Sequence, residues 1–216
     1  MKRTIILLIF MAVCLFTGCK NEANTNSENL LVSKEEIPEK STANLEGKIA
    51  INLDKSVVKW KGSMLFSFGN HFGTVDFKAG SLEFENNEIK DGSFVVDMTT
   101  IVNTDGDYSE DLVNHLKNED FFDVEKFPES KLEFISFEKV NDNRLKIDAN
   151  LSIKDVTKLV TLYNVDYFPE ERRLSTKFKI DRTEFGINYN SKGFAKVKDY
   201  AISDAVELEV EVYFDN

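Results

Sequence analysis

From Ile49 onward, apolar side chains recur at every second position. Val58, Trp60, Gly62 and Met64 alternate with Lys59, Lys61 and Ser63, and Val75, Phe77 and Ala79 alternate with Thr74, Asp76 and Lys78. Leu82 and Phe84 follow in the same rhythm, then Asn86-Asn87 as a turn, Ile89, and Asp91-Gly92 as a second turn before Ser93 to Met98. Leu145, Ile147, Ala149, Leu151 and Ile153 form another run, and Val206, Leu208, Val210, Val212 and Phe214 oppose Glu207, Glu209 and Glu211. A period of two marks a strand with one buried face. Such runs amount to roughly eight or nine strands. One-sided burial predicts an antiparallel sheet, closed into a barrel or stacked as a sandwich. Closure would also remove the exposed edges of so long a sheet.

One stretch keeps a different period. Leu112, Val113 and Leu116 have helical spacing, which predicts a short helix over Tyr108 to Asn118 with Asp107 or Ser109 as its N-cap. It leads into Phe121-Phe122 and a turn at Lys126-Phe127-Pro128, and is expected across the side or end of a barrel.

The N-terminus has another character. Met1-Lys2-Arg3 is a basic head, and Ile5 to Phe16 is an apolar run too short for a stable membrane span. Phe16-Thr17-Gly18-Cys19 then resembles the cleavage site of a bacterial lipoprotein signal peptide, with residues 1–18 removed and Cys19 lipidated. An ordinary secretory leader containing a cysteine is the alternative. Phe16 stands where an aliphatic residue is usual, and Cys14 follows Val13 rather than a small residue. Residues 19–48 are polar and read as a flexible tether, leaving 49–216 as the folded domain.

The whole chain carries 27 Lys and Arg against 38 Asp and Glu, a net charge of −11. Loss of Lys2 and Arg3 with the leader takes the mature chain to −13. Such a surface repels nucleic acid and anionic headgroups, and chiefly confers solubility. With Cys14 gone, Cys19 is the only cysteine, so the domain has no internal disulfide and no thiolate chemistry of its own.

Several short stretches then fall in one order: His71-Phe72-Gly73-Thr74-Val75; Gly92 to Ile101; His115 to Val124, closing with Lys126-Phe127-Pro128; Leu151 to Lys158; Asp181 to Ile187; and Ile202-Ser203-Asp204. This set resembles the YceI-like family of bacterial periplasmic lipid- or polyisoprenoid-binding proteins, over roughly Lys48 to Phe214. The resemblance implies an extended, lipocalin-like antiparallel barrel of about eight strands with one helix beside it. It also implies a long apolar cavity for an isoprenoid or other amphiphile, no catalytic residue, no metal and no cofactor. Barrels of this kind can pair through their exteriors, so a homodimer is possible. Ala149 and Asp155 stand where the family usually has glycine; Ala149 would narrow the barrel, and Asp tolerates turn conformations.

A small barrel either fills its interior or keeps room for one ligand. The candidates for a ligand lining are Trp60, Met64, Phe77, Phe84, Val95, Phe134, Phe178 and Val206, with Phe185 near the mouth. A Phe-rich inner face equally suits a filled core. His71 and His115 are isolated and read as hydrogen-bonded structural residues, since two distant histidines without cysteine do not make a usual zinc site. Arg182, beside Asp181, suits a strand-end salt bridge or an anionic headgroup. The reading is a non-enzymatic envelope lipoprotein, anchored through Cys19 on the periplasmic side or the outer surface, that carries an isoprenoid-type lipid. An enzyme acting on a lipid-linked substrate and a protein-docking module are the alternatives.

Overall fold

The computed structural model describes residues 44–66, 69–106, 109–193 and 201–215. The strands are β1 (Gly47–Ala50), β2 (Val57–Ser63), β3 (Asn70–Glu85), β4 (Glu88–Asn103), β5 (Glu129–Asn141), β6 (Arg144–Ile153), β7 (Val156–Phe168), β8 (Arg173–Asp181) and β9 (Ala205–Tyr213). Among the described residues one α-helix, α1 (Ser109–Lys117), lies between β4 and β5. Strand neighbours run β1-β3-β2-β9-β8-β7-β6-β5-β4, and β3 also pairs with β4. That last pairing closes the sheet into an eight-membered antiparallel barrel. The short β1 shares one position of the ring with β2: β2 pairs with the first half of β3, β1 pairs with its second half, and Ile51 bridges on to Phe214. Buried Ser56 stitches the break between them, its hydroxyl accepting from Tyr213 N at 2.9 Å.

The expected turn at Asn86-Asn87 joins β3 to β4, both residues having positive φ (53° and 65°), the requirement of the tight hairpin turn that matches strand twist. The β6–β7 turn is built the same way from Lys154 (φ 50°) and Asp155 (φ 60°). Asp155 is tolerant there. Lys154 is not, and its ammonium is held by the Phe121 carbonyl at 2.7 Å. The turn expected at Asp91-Gly92 does not exist. Both residues lie inside β4, where a side chain at Gly92 would collide with the Phe134 ring. The glycine there permits close approach rather than chain reversal.

The folded part begins before the expected boundary at residue 49. Leu45 is 1 % exposed and exchanges hydrogen bonds with Asn87, at 2.6 and 3.1 Å. The expected N-cap Asp107 lies outside the described residues, and Ser109 is the first residue of α1. Glu110 and Asp111 in its first turn, and His115 and Lys117 in its last, complement the helix dipole.

Alternation holds along β3 until an irregularity in register between Phe77 and Ala79. Val75 and Phe77 are buried before it, Leu82 and Phe84 after it, while Lys78 and Ala79 are both exposed. Ala79 therefore faces out, against expectation, because an extra residue flips the strand. On β9 the three glutamates meet lysines on neighbouring strands: Lys59 lies 2.9 Å from Glu209 and Lys177 3.1 Å from Glu207. These exposed cross-strand pairs contribute little each but spread the acidic charge among cations.

The interior divides along the barrel axis. At the end carrying the β3–β4 and β5–β6 turns, large side chains fill it: Phe84 packs on Phe214 (ring centroids 5.2 Å) and Tyr167 (6.5 Å), with Leu82 and Ile147 fully buried. This is a solid floor. Two outcomes are expected. A Cβ on Gly73 would run into the Val102 carbonyl and stand 2.8 Å from the Trp60 ring, so Gly73→Ala should lower stability by about 2 kcal/mol or more, read from the urea midpoint. Burial pushes the Tyr167 phenol up from 10.0 to about 12. The protonated phenol is thus favoured by folding, and its contribution is complete below pH 10 and lost as pH rises through about 12. The stability gap between wild type and Tyr167→Phe, about 1 kcal/mol at neutral pH from the lost bond to the Asn87 carbonyl, should therefore shrink between those two pH values in denaturant titrations.

Candidate functional site

Above the floor the inward side chains do not meet. They enclose a cavity of about 240 Å³ whose lining is almost wholly apolar. Trp60 and Met64 from β2 and the bridge after it, Phe77 from β3, Phe134 from β5, Phe178 from β8 and Val206 from β9 all face it. The register explains why they converge. Trp60 is opposite Leu208, Leu208 is opposite Phe178, and Val206 is opposite Ile180, so one face of β2, β9 and β8 makes a continuous apolar wall. Phe77, Phe94 and Phe134 form an aromatic row on β3, β4 and β5, the first pair tilted at 6.1 Å and the second edge-on at 5.4 Å between centroids.

Three of the expected lining residues lie elsewhere. Phe84 has the right face but the wrong depth, since it belongs to the solid floor. Val95 is opposite Ala79 and Lys131, both exposed, so it lies on the outer face while Phe94 and Val96 point inward. Phe185 ends the 3-10 turn Arg182–Phe185 and is buried in the core outside the cavity. Asp181 caps that turn by accepting from Thr183 N at 2.9 Å, and Gly186 at φ 77° ends it. Conversely, Leu112 and Leu116 of α1 line the cavity, together with Phe121 and Phe122 just after the helix. The helical spacing of the two leucines and the adjacent aromatic pair were the available signals. The helix forms part of the cavity wall rather than merely flanking the barrel.

Arg182 reaches the cavity lining with three of its five N–H groups already bound to carbonyls. Its side chain is 2 % exposed, Nε donates to the Ser203 carbonyl (3.1 Å), Nη1 to Ile187 (2.8 Å) and Nη2 to Ile202 (3.3 Å). Asp204 Oδ1, buried and without a hydrogen bond, lies 3.6 Å from Nη2. Burial pulls the guanidinium pKa down from its ordinary value, and the Asp204 and Asp181 carboxylates act against that. Arg182 therefore forms a strand-end ion pair. It fastens the turn after β8 to the chain entering β9. His115 stacks edge-on against Tyr189 (4.4 Å) and Phe121 (5.2 Å), close to Asp120 at 3.9 Å. His71 stands at the cavity rim, its Nδ1 2.8 Å from Asp105 Oδ2. Among the described residues no cluster of three or more His, Cys, Asp or Glu could hold a metal ion, and no helix is long and apolar enough to cross a membrane.

A closed antiparallel barrel with a solid floor, a helix across one wall and an apolar cavity above is a lipocalin-like fold. The chain belongs to the YceI-like family, whose domain matches residues 50–214. Its fold is similar to the crystal structure of Burkholderia cenocepacia BcnA, with a TM-score of 0.59 at 15% identity, covering 75% of this chain and 98% of that one. The Campylobacter jejuni YceI protein gives a TM-score of 0.49 at 21% identity, over 66% of this chain and 84% of that one. No curated protein matches the sequence.

Replacing Arg182 by Met should leave Asp204 uncompensated and free three carbonyls. The expected loss is about 3–5 kcal/mol, seen as a fall in Tm of roughly 10 °C. Arg182→Lys should recover only part of it, because one ammonium cannot reproduce the planar fork.

Proposed function

We propose that this protein is a lipoprotein of the bacterial cell envelope that binds and carries one long apolar chain, an isoprenoid or another amphiphile, in the barrel cavity, and that it catalyses no reaction. The supporting observation is the contrast inside one barrel: side chains interlock in the floor, and leave about 240 Å³ of apolar space above it. A space with so few polar partners offers water little and hydrocarbon much. Each methylene taken from water contributes about 0.8 kcal/mol, so a dozen supply roughly 10 kcal/mol gross, comparable with the cost of association. The volume falls below the ~300–1,000 Å³ typical of sites for compact drug-sized molecules, which favours a single slim chain over a fused-ring lipid. Lipid on Cys19 would hold the domain at a membrane surface, on the periplasmic side, where such ligands are exchanged.

Native mass spectrometry of the purified full chain, with solvent extraction of what it carries, tests this. One lipid-sized adduct per chain is expected. Val206→Phe, which places a ring inside the wall, should weaken uptake of a fluorescent fatty probe by about tenfold or more while leaving the melting temperature within a few degrees. A protein that stays empty and takes up no apolar chain would end the proposal.

A further inference from the structure

The rim of the cavity carries one polar device that the apolar walls do not explain. His71 is opposite Gly62 in the β2–β3 register, on the same inner face as Trp60 and Val75. Its side chain is 37 % exposed, as suits a residue at a mouth. Asp105, behind it, is only 8 % exposed and tightly tied. Its Oδ2 accepts from His71 Nδ1 (2.8 Å) and from Phe72 N (3.1 Å), and its Oδ1 accepts from Asn103 Nδ2 (2.9 Å). A carboxylate is an acceptor only, so Nδ1 carries the proton. In the neutral ring the lone pair is then on Nε2, which receives no hydrogen bond from any described residue. A second group that orients a histidine through one nitrogen and leaves the other for a ligand is a recurrent arrangement.

We propose that the His71–Asp105 pair is the headgroup site of this cavity and that it selects an uncharged, hydroxyl-terminated chain, the hydroxyl donating to His71 Nε2. This rests on the apolar-chain reading above and adds the polar end of the ligand. An ether or a carbonyl has no proton to give. Among the described lining residues the two cations are already engaged, Arg182 with three carbonyls and Asp204, and Lys131 with Glu129 at 3.5 Å, so neither favours a phosphate. The chain's net charge of −11 opposes it further. Asp105 is a positioning residue, acting only through the ring it holds.

Geranylgeraniol, its methyl ether and its phosphate share one tail and differ only at the head. Competition of each against a fluorescent fatty probe on the full chain separates the terms. The alcohol should bind about tenfold tighter than the ether, and the phosphate no better than the ether. His71→Leu should bring the alcohol down to the ether while leaving the ether unchanged, and Asp105→Asn should give an intermediate preference. A histidine that only held the rim together would move all three ligands alike. Equal binding of alcohol and ether by wild type, tightest binding of the phosphate, or a preference that survives His71→Leu overturns the headgroup site and leaves the apolar-chain reading standing. Failure of all three ligands to bind removes both. The wild-type comparison needs no variant, so a misfolded His71→Leu protein does not shield the idea.

Discussion

The pairing of β3 with β4 is the constraint on which the rest depends. β3 is long enough to pair with β1 and β2 along one edge and β4 along the other, and so turns an open sheet into a ring. A ring has no exposed edge to manage. It also fixes an interior whose width is set by strand number and stagger rather than by the side chains that must fill it. At the floor, Phe84, Tyr167 and Phe214 are large enough to meet across that width. Higher up, the valines and leucines of β9 are too short to reach the opposite wall. The cavity is thus the difference between a backbone geometry and a residue choice, and the register irregularity after Phe77 helps create it by changing which β3 residues face in.

The alternation of apolar and polar residues was enough to place β2, β3, β6, β9 and the helix, because period two and period 3.6 are local properties of the chain; it left barrel and sandwich both open, the closed barrel being an expectation of the family resemblance. It also placed Trp60, Met64, Phe134, Phe178 and Val206 on the inner face, where each is flanked by polar neighbours or by an unambiguous rhythm. It failed where the rhythm itself failed. Phe94-Val95-Val96 is apolar on both faces, so nothing in the run says that Val95 points out. Ala79 follows an inserted residue, and Phe185 sits in a 3-10 turn where strand parity has no meaning. Phe84 shows a different limit. Its face was legible, but its depth along the barrel axis was not, since period two reports which side a residue takes and not how far from the mouth it lies. The same limit hid Leu112 and Leu116, whose helical face is visible in the sequence but whose partner across the cavity is not.

The polar residues near the cavity divide by what their neighbours leave them. Arg182 looks, in isolation, like an anion site: a buried cation beside the lining. Three of its donors go to the carbonyls of Ile187, Ile202 and Ser203, which joins the turn after β8 to the strand that follows. Removing such a group is costly because it exposes several unmet partners at once. His71 is the opposite case. Its tie to Asp105 consumes one ring nitrogen and orients the other. Residue identity did not separate these two cases; the hydrogen-bond partners did.

On the proposed reading, that difference would place affinity and selectivity in different parts of the barrel. The walls act without direction: any methylene removed from water gains about the same, whatever chain it belongs to. Walls of this kind bind but discriminate weakly, by length and girth. Discrimination between head groups needs a directed bond, and such a bond deep in an apolar cavity would cost much whenever it went unmade. The rim avoids that cost. There His71 remains partly wet when no ligand is present, with water available to its free nitrogen, while its orientation is fixed from behind by a carboxylate that is itself dry and fully bonded. On the proposed reading, a partly exposed directed group on rigid strands, above an apolar undirected tube, would let one barrel accept a long chain and still read its end.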